Sequence, residues 1–197
     1  MSTADQLAAI PPEIRCFALV GQLLSHWAEL EATLDVAIQT AFQLDQDQTA
    51  RMTKIMRLRD KIRVLHGACE SCIPDPDRAH YKTQLDAISK YTAHRNLALQ
   101  GLFRPDDAEK ADGVMFIGSA ARGRHGLPIV RWSIADFEAR VALLCNFGVE
   151  MRRLEAHLAQ FSRLGNEALV STALRIHDQD AQERATIIAT CRSQIEN

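Results

Sequence analysis

The stretch PPEIRCFALVGQLLSHWAELEATLDVAIQTAFQLDQDQ, residues 11–48, decides the fold class. Proline is tolerated in the first turn of a helix and not in its interior, so Pro11 and Pro12 mark a helix start. From there Phe17, Val20, Leu24, Trp27, Leu34 and Ile38 recur in steps of three and four, the apolar face of one long helix. The polar run Asp45 to Gln48 closes it.

The same period continues outward. A second helix is expected from about Thr49 to Cys72, with Ile55, Leu58, Ile62, Leu65 and Cys69 on one stripe. Ile73-Pro74-Asp75-Pro76-Asp77 breaks it, because each proline removes a donor and restricts its predecessor. A third helix begins near Asp77, carries Tyr81, Leu85, Ile88 and Leu99 along its inner side, and stops around Gly101. Val114–Ile117 and Ile129–Trp132 then read as short strands separated by the Gly- and Arg-rich segment Gly118 to Gly126, a β-hairpin within about residues 113–132. Ser133 followed by Asp136 resembles a capping box with Asp in place of Glu, and opens a fourth helix. Phe137, Val141, Leu144, Met151, Leu154, Leu158 and Phe161 are spaced along that helix for burial.

After Gly165-Asn166 only two weaker helical stretches remain, near 167–176 and 181–195. The expected architecture is all-α: an antiparallel four-helix bundle with an inserted β-hairpin over residues 1–163, and a helical tail or oligomerisation segment over 164–197.

Composition agrees with a helical reading. Of 197 residues, 47% are hydrophobic but only 6% aromatic, and glycine is sparse. The net charge of −2 argues against a basic nucleic-acid coat, so any RNA contact has to be local. Five cysteines (Cys16, Cys69, Cys72, Cys145, Cys191), with no basic-then-apolar leader in Met1 to Ile10, point to a reduced cytoplasmic compartment. No segment approaches the roughly 20 apolar residues of a bilayer span, so no membrane association is expected.

The informative residues are charges on apolar stripes. Glu31 lies between Trp27 and Leu34; Arg95 lies seven residues after Ile88 and four before Leu99. A lone buried charge costs several kcal/mol, so each requires a partner: the other, or Lys61 or Tyr91. The pair can serve as a structural ion pair, as a functional pair at a cleft, or as side chains reaching solvent at a helix flank. Pairing would hold the Arg95 guanidinium in one orientation, as anion binding requires.

Arg95-Asn96-Leu97-Ala98-Leu99-Gln100-Gly101, closing a helix, resembles the signature of HEPN domains. That signature is an Arg, often with a polar neighbour, then four to six residues and a His. Trp27-Ala28-Glu29-Leu30-Glu31 resembles an aromatic-and-acid stretch of some members. The resemblance spans about residues 12–162. It implies a helical bundle, usually dimeric, whose active members are metal-independent ribonucleases of toxin–antitoxin and defence systems. It places the arginine at Arg95, the polar neighbour at Asn96 and the histidine position at Gln100; Glu31 and Tyr91 are expected as structural support because the charge on Arg95 needs partners. Glutamine cannot donate and recover a proton near pH 7, so the resemblance implies a degenerate site that keeps its anion-binding half. His94 precedes Arg95 and is expected on another side of the helix.

Lys54, Arg57 and Lys61 fall on one flank of the second helix and Arg59 and Arg63 on the other; such a helix either contacts phosphate or is a solvated face. Arg122, Arg124 and His125 add cations in the hairpin turn. His66, Cys69, Cys72 and His80 are zinc-type ligands, but Cys69 falls on the core stripe, so no metal is expected. Neither is a cofactor, because no Gly-rich phosphate loop or dinucleotide fingerprint occurs. The expectation is a HEPN-like RNA- or partner-binding homodimer, with an antitoxin or nucleotidyltransferase as possible protein partner. The alternatives are an active ribonuclease that uses Arg95 with a non-histidine group, and a structural oligomerisation protein that binds no nucleic acid.

Overall fold

A computed structural model describes residues 10–106, 113–118 and 129–161. Most of them are helical. The elements are α1 (Pro12–Phe42), α2 (Gln46–Ile55), α3 (Leu58–Cys72), α4 (Asp77–Gln100), β1 (Leu102–Pro105), β2 (Val114–Ile117), β3 (Ile129–Trp132) and α5 (Ile134–Phe161). The tail at 164–197 and most of the expected hairpin turn, with Arg122 and Arg124, lie outside the described residues.

α1 ends earlier than the polar run suggested, at Phe42. Gln43 adopts a left-handed backbone, φ 50. The Leu44 N–H donates back to the Gln39 carbonyl (3.0 Å) and the Gln43 N–H to that of Thr40 (3.4 Å), a Schellman-type stop with glutamine in the seat glycine prefers. Asp45 does not close α1; it opens α2. Its side chain accepts from the Gln48 N–H at 2.7 Å, while its own N–H donates to Gln48 Oε1 at 3.0 Å.

The single second helix expected from Thr49 to Cys72 is two helices. Met56 and Arg57 are extended (ψ 135 and 158). The buried Asp60 takes the Arg57 N–H at 3.2 Å, which fastens the start of α3. Breaking there leaves Ile55 70% exposed instead of on a common stripe.

The β region is a three-stranded antiparallel sheet in the order β1-β2-β3, one strand more than a hairpin. Leu102 pairs with Ile117 and Pro105 with Val114; Val114 pairs in turn with Trp132. The centre strand is buried at Val114, Met115 and Phe116 in succession, whereas the edge strands alternate. Pro105 fits because an edge strand can spare its N–H. Gly113 lies so close to the Trp132 carbonyl that a Cβ there would collide with it.

Two compact units divide the chain: Met1–Thr33 with Ala87–Glu150, and Leu34–Asp86 with Met151–Asn197. The core of the first takes Leu23, Trp27 and Leu30 from α1, Phe116 and Trp132 from the sheet, and Phe137 and Leu144 from α5. That of the second takes Leu34 and Ile38 from α1, Leu65 from α3, Leu85 from α4, and Met151 and Leu154 from α5. On α1 the expected Val20, Trp27, Leu34 and Ile38 are buried, and Cys16, Leu19 and Leu23 join them, while Phe17 at the start of the stripe is 67% exposed. In α4 it is Ala98 that is buried, and Leu99 is exposed. No described helix is long and apolar enough to cross a membrane.

Candidate functional site

Trp27 is 2% exposed, and an indole N–H buried that deeply needs an acceptor. One helical turn on, Glu31 supplies it: Trp27 Nε1 donates to Glu31 Oε1 at 2.8 Å. The same oxygen lies 2.9 Å from Arg95 Nη2. The two charges on apolar stripes therefore meet each other, with neither Lys61 nor the Tyr91 hydroxyl between them. Both are half-buried, with side chains 26% and 29% exposed. A guanidinium has five N–H donors, and one carboxylate oxygen occupies only part of the fork. Among the described residues Glu31 is the acid that pairs with Arg95, and the direction of the guanidinium is set by a carboxylate that is itself held by an indole.

An aromatic wall stands beside this relay. Tyr91 stacks on Trp27 (centroids 6.1 Å, planes 14° apart) and meets Phe147 edge-on. His94 lies 4.5 Å from the Tyr91 ring and 5.5 Å from Trp132. Arg140 places its guanidinium 4.2 Å over Trp132 and hydrogen-bonds the Asp136 carbonyl and carboxylate. Burial, and after it Arg140, hold His94 below its ordinary pKa, against a weaker opposing effect of the Tyr91 backbone. Burial likewise raises the Tyr91 hydroxyl. The Tyr91 hydroxyl and His94 Nδ1 are enclosed without an aligned hydrogen-bond partner. His94 thus packs in the wall with its Nδ1 enclosed, and burial disfavours its charged form.

Asn96 and Gln100 are exposed at the close of α4. Gly101 follows, its N–H on the Leu97 carbonyl at 2.9 Å, and a Cβ there would lie 2.5 Å from that same oxygen. The basic residues of the second expected helix belong to the other unit. Lys54 and Arg57 are exposed, on α2 and at the break before α3. Lys61 is buried, and its Nζ lies 2.6 Å from Asp35 Oδ1, an ionic contact without hydrogen-bond alignment. That pairing withdraws it from the solvated basic flank on which spacing put it. Cys69 is fully buried and its thiol is pushed up to about 12, chiefly by desolvation; His66 pairs with Asp86 at 3.1 Å. Among the described residues no cluster of three or more His, Cys, Asp or Glu is arranged to hold a metal.

Sequence reading placed Trp27 in the core and in the aromatic-and-acid stretch but missed its hydrogen bond to Glu31, and it missed the roles of His94, Trp132 and Arg140. For Trp27 the signal was present, since an acceptor four residues from a core indole faces the same side of a helix. For the other three, which come from α4, β3 and α5, no local signal exists.

No family model matches the chain. No solved structure matches it either. Among curated proteins, 80 residues are similar to methylcytosine dioxygenase TET2 of mouse, at 31% identity. Those residues make up 41% of this chain and 4% of that protein, so the match spans a small fragment of it.

Proposed function

We propose that this chain is a HEPN-like module that binds RNA or a protein partner through an oriented arginine and is catalytically degenerate. The reading includes the antiparallel four-helix bundle, the pairing of two copies and the defence or toxin–antitoxin setting that the resemblance implies. One observation carries it: the half-exposed Arg95 guanidinium is held by Glu31, which the buried Trp27 indole holds in turn. An arginine that only neutralised an acid would not need the acid locked. Pre-orientation reduces the entropy lost when an anion docks. Degeneracy is supported by Gln100 at the histidine position and by the enclosed His94, whose charged form burial disfavours. Pairing of copies is supported by apolar surface on the first unit, where Phe17 rests against Phe103 and Leu102 is 69% exposed.

The test is binding of a labelled single-stranded RNA by the purified full chain, read by anisotropy, with cleavage followed on a gel. Arg95→Ala is expected to weaken binding about tenfold, the loss of one charge-assisted contact of about 1.4 kcal/mol. Arg95→Lys, which keeps the charge and loses the fork, is expected to lie between. Cleavage that disappears with Arg95→Ala makes the protein an active ribonuclease instead. RNA binding that is absent, with self-association controlled by residues 164–197, leaves a structural oligomerisation protein; RNA binding indifferent to Arg95 overturns the role given to that arginine.

A further inference from the structure

The break between α2 and α3 leaves a run of cations on the surface of the second unit. Arg51, Lys54, Arg57 and Arg59 are all exposed. Arg51 and Lys54 lie three residues apart on α2 and share a face with Ile55, four residues after Arg51. Arg57 and Arg59 follow where Met56 and Arg57 are extended and the chain passes into α3. Among the described residues no acid pairs with these four side chains, Asp45 and Asp47 at the start of α2 included. Asp60, the acid within the run, is buried and accepts from the Arg57 N–H.

A solvated helix face mixes charges of both signs and keeps its large aliphatic residues covered. This corner does neither. Ile55, the last residue of α2, is the most exposed of the large apolar side chains described. Met52, Met56 and Leu58, its neighbours along the chain, are half-buried. An apolar side chain projecting among unpaired cations matches a surface with anions outside and hydrocarbon beneath. Single-stranded nucleic acid is a poorer match, because it stacks bases on aromatic rings and no Phe, Tyr or Trp occurs between Phe42 and Tyr81. A folded acidic protein would need a pocket shaped for the isoleucine, whereas a lipid interface yields to it.

We infer that the α2–α3 corner docks on anionic phospholipid surfaces, with Arg51, Lys54, Arg57 and Arg59 on the headgroups and Ile55 in the acyl boundary beneath them. The contact is peripheral, since no described helix is long and apolar enough to cross a bilayer. It is also oriented. The chain as a whole carries a net charge of −2, so the same lipid repels the remainder of its surface. Salt screens the cations but not the isoleucine, which gives the two contributions separate signatures.

The experiment is sedimentation of the purified full chain with vesicles of phosphatidylcholine alone and with about one-third phosphatidylserine. Binding is expected to the anionic vesicles only, and to weaken as salt rises. Lys54→Ala combined with Arg57→Ala is expected to lower affinity about thirtyfold, about fivefold for each cation. Ile55→Ser is expected to lower it about tenfold and to remove the part that survives high salt. Circular dichroism checks the fold of each variant; should the alanine pair not fold, Arg51→Gln with Arg59→Gln replaces it at the same corner. Equal binding to neutral vesicles overturns the proposal, as does binding indifferent to the loss of two cations or to Ile55→Ser. Absence of vesicle binding overturns it as well. If the same side chains then hold polyglutamate or a labelled RNA, the corner belongs to an acidic protein or to a nucleic acid instead.

Discussion

At the scale of single residues, the relay Trp27–Glu31–Arg95 couples a core side chain to a surface cation. Glu31 serves both partners with one oxygen, so its two roles separate by substitution. Glu31→Gln keeps an acceptor for the indole and loses the ion pair; Glu31→Ala loses both. Urea denaturation followed by tryptophan fluorescence is expected to show Glu31→Ala destabilised by about 1–3 kcal/mol and Glu31→Gln by less. Equal losses would mean that the buried indole bond contributes nothing. His94 sets a pH dependence. Its folded pKa is depressed, so between that value and the ordinary 6.5 the unfolded chain binds more protons. Stability contributed by this residue therefore rises with pH through that window and is constant above it. Unfolding free energies measured at about pH 5 and about pH 7 are expected to differ less in His94→Phe than in the parent protein.

At the scale of elements, the helix ends carry the most testable chemistry. Gln43 occupies a left-handed position at the end of α1, which costs a residue with a Cβ and not glycine. Gln43→Gly is expected to stabilise the protein by about 0.5 kcal/mol, the strain relieved less the added freedom of the unfolded chain; a lower thermal midpoint would show that the side chain contributes more than the strain. Asp60 holds the start of α3, and Asp60→Ala is expected to cost about 1–2 kcal/mol, with helicity lost locally in hydrogen exchange. At Gly113 the backbone approaches Trp132 so closely that Gly113→Ala must displace β2 from β3. The lower midpoint expected there arises from sterics, since Gly113 does not adopt a left-handed backbone.

For the whole molecule, charge limits what the proposed module can do. A chain with net charge −2 can hold RNA only through a local set of cations, and Lys61 is already engaged with Asp35. The dependence of RNA affinity on salt is therefore expected to be shallow. Three phosphate contacts correspond to a slope of about −2 in log K against log salt, whereas a generally basic surface gives a much steeper one. Titrations at several salt concentrations measure it directly, and a steep slope would mean that many cations besides Arg95 carry the binding.

What the residues determined unaided was local in origin. The Ser133–Asp136 box that opens α5, the proline break after Cys72, the stop at Gly101 and the Trp27–Glu31 spacing all rest on hydrogen bonds or sterics within one turn of chain. Helical character follows from the apolar period for the same reason. Tertiary structure decided what periodicity leaves degenerate. Phe17 and Leu99 satisfy the three-and-four step as well as Cys16 and Ala98 do, and only the neighbouring elements determine which flank is covered. β1, Leu-Phe-Arg-Pro, lacks the β-branched residues that mark β2 and β3 and ends in proline, so it becomes a strand by pairing with β2. Lys61 reads as a solvated cation until Asp35, on another helix, lies beside it. The site divides in the same way: Arg95 and Glu31 were legible as charges needing partners, because an unpaired buried charge is costly wherever it sits. The enclosure of His94 by Trp132 and Arg140 was not, because contacts between distant segments leave no periodic trace in either one.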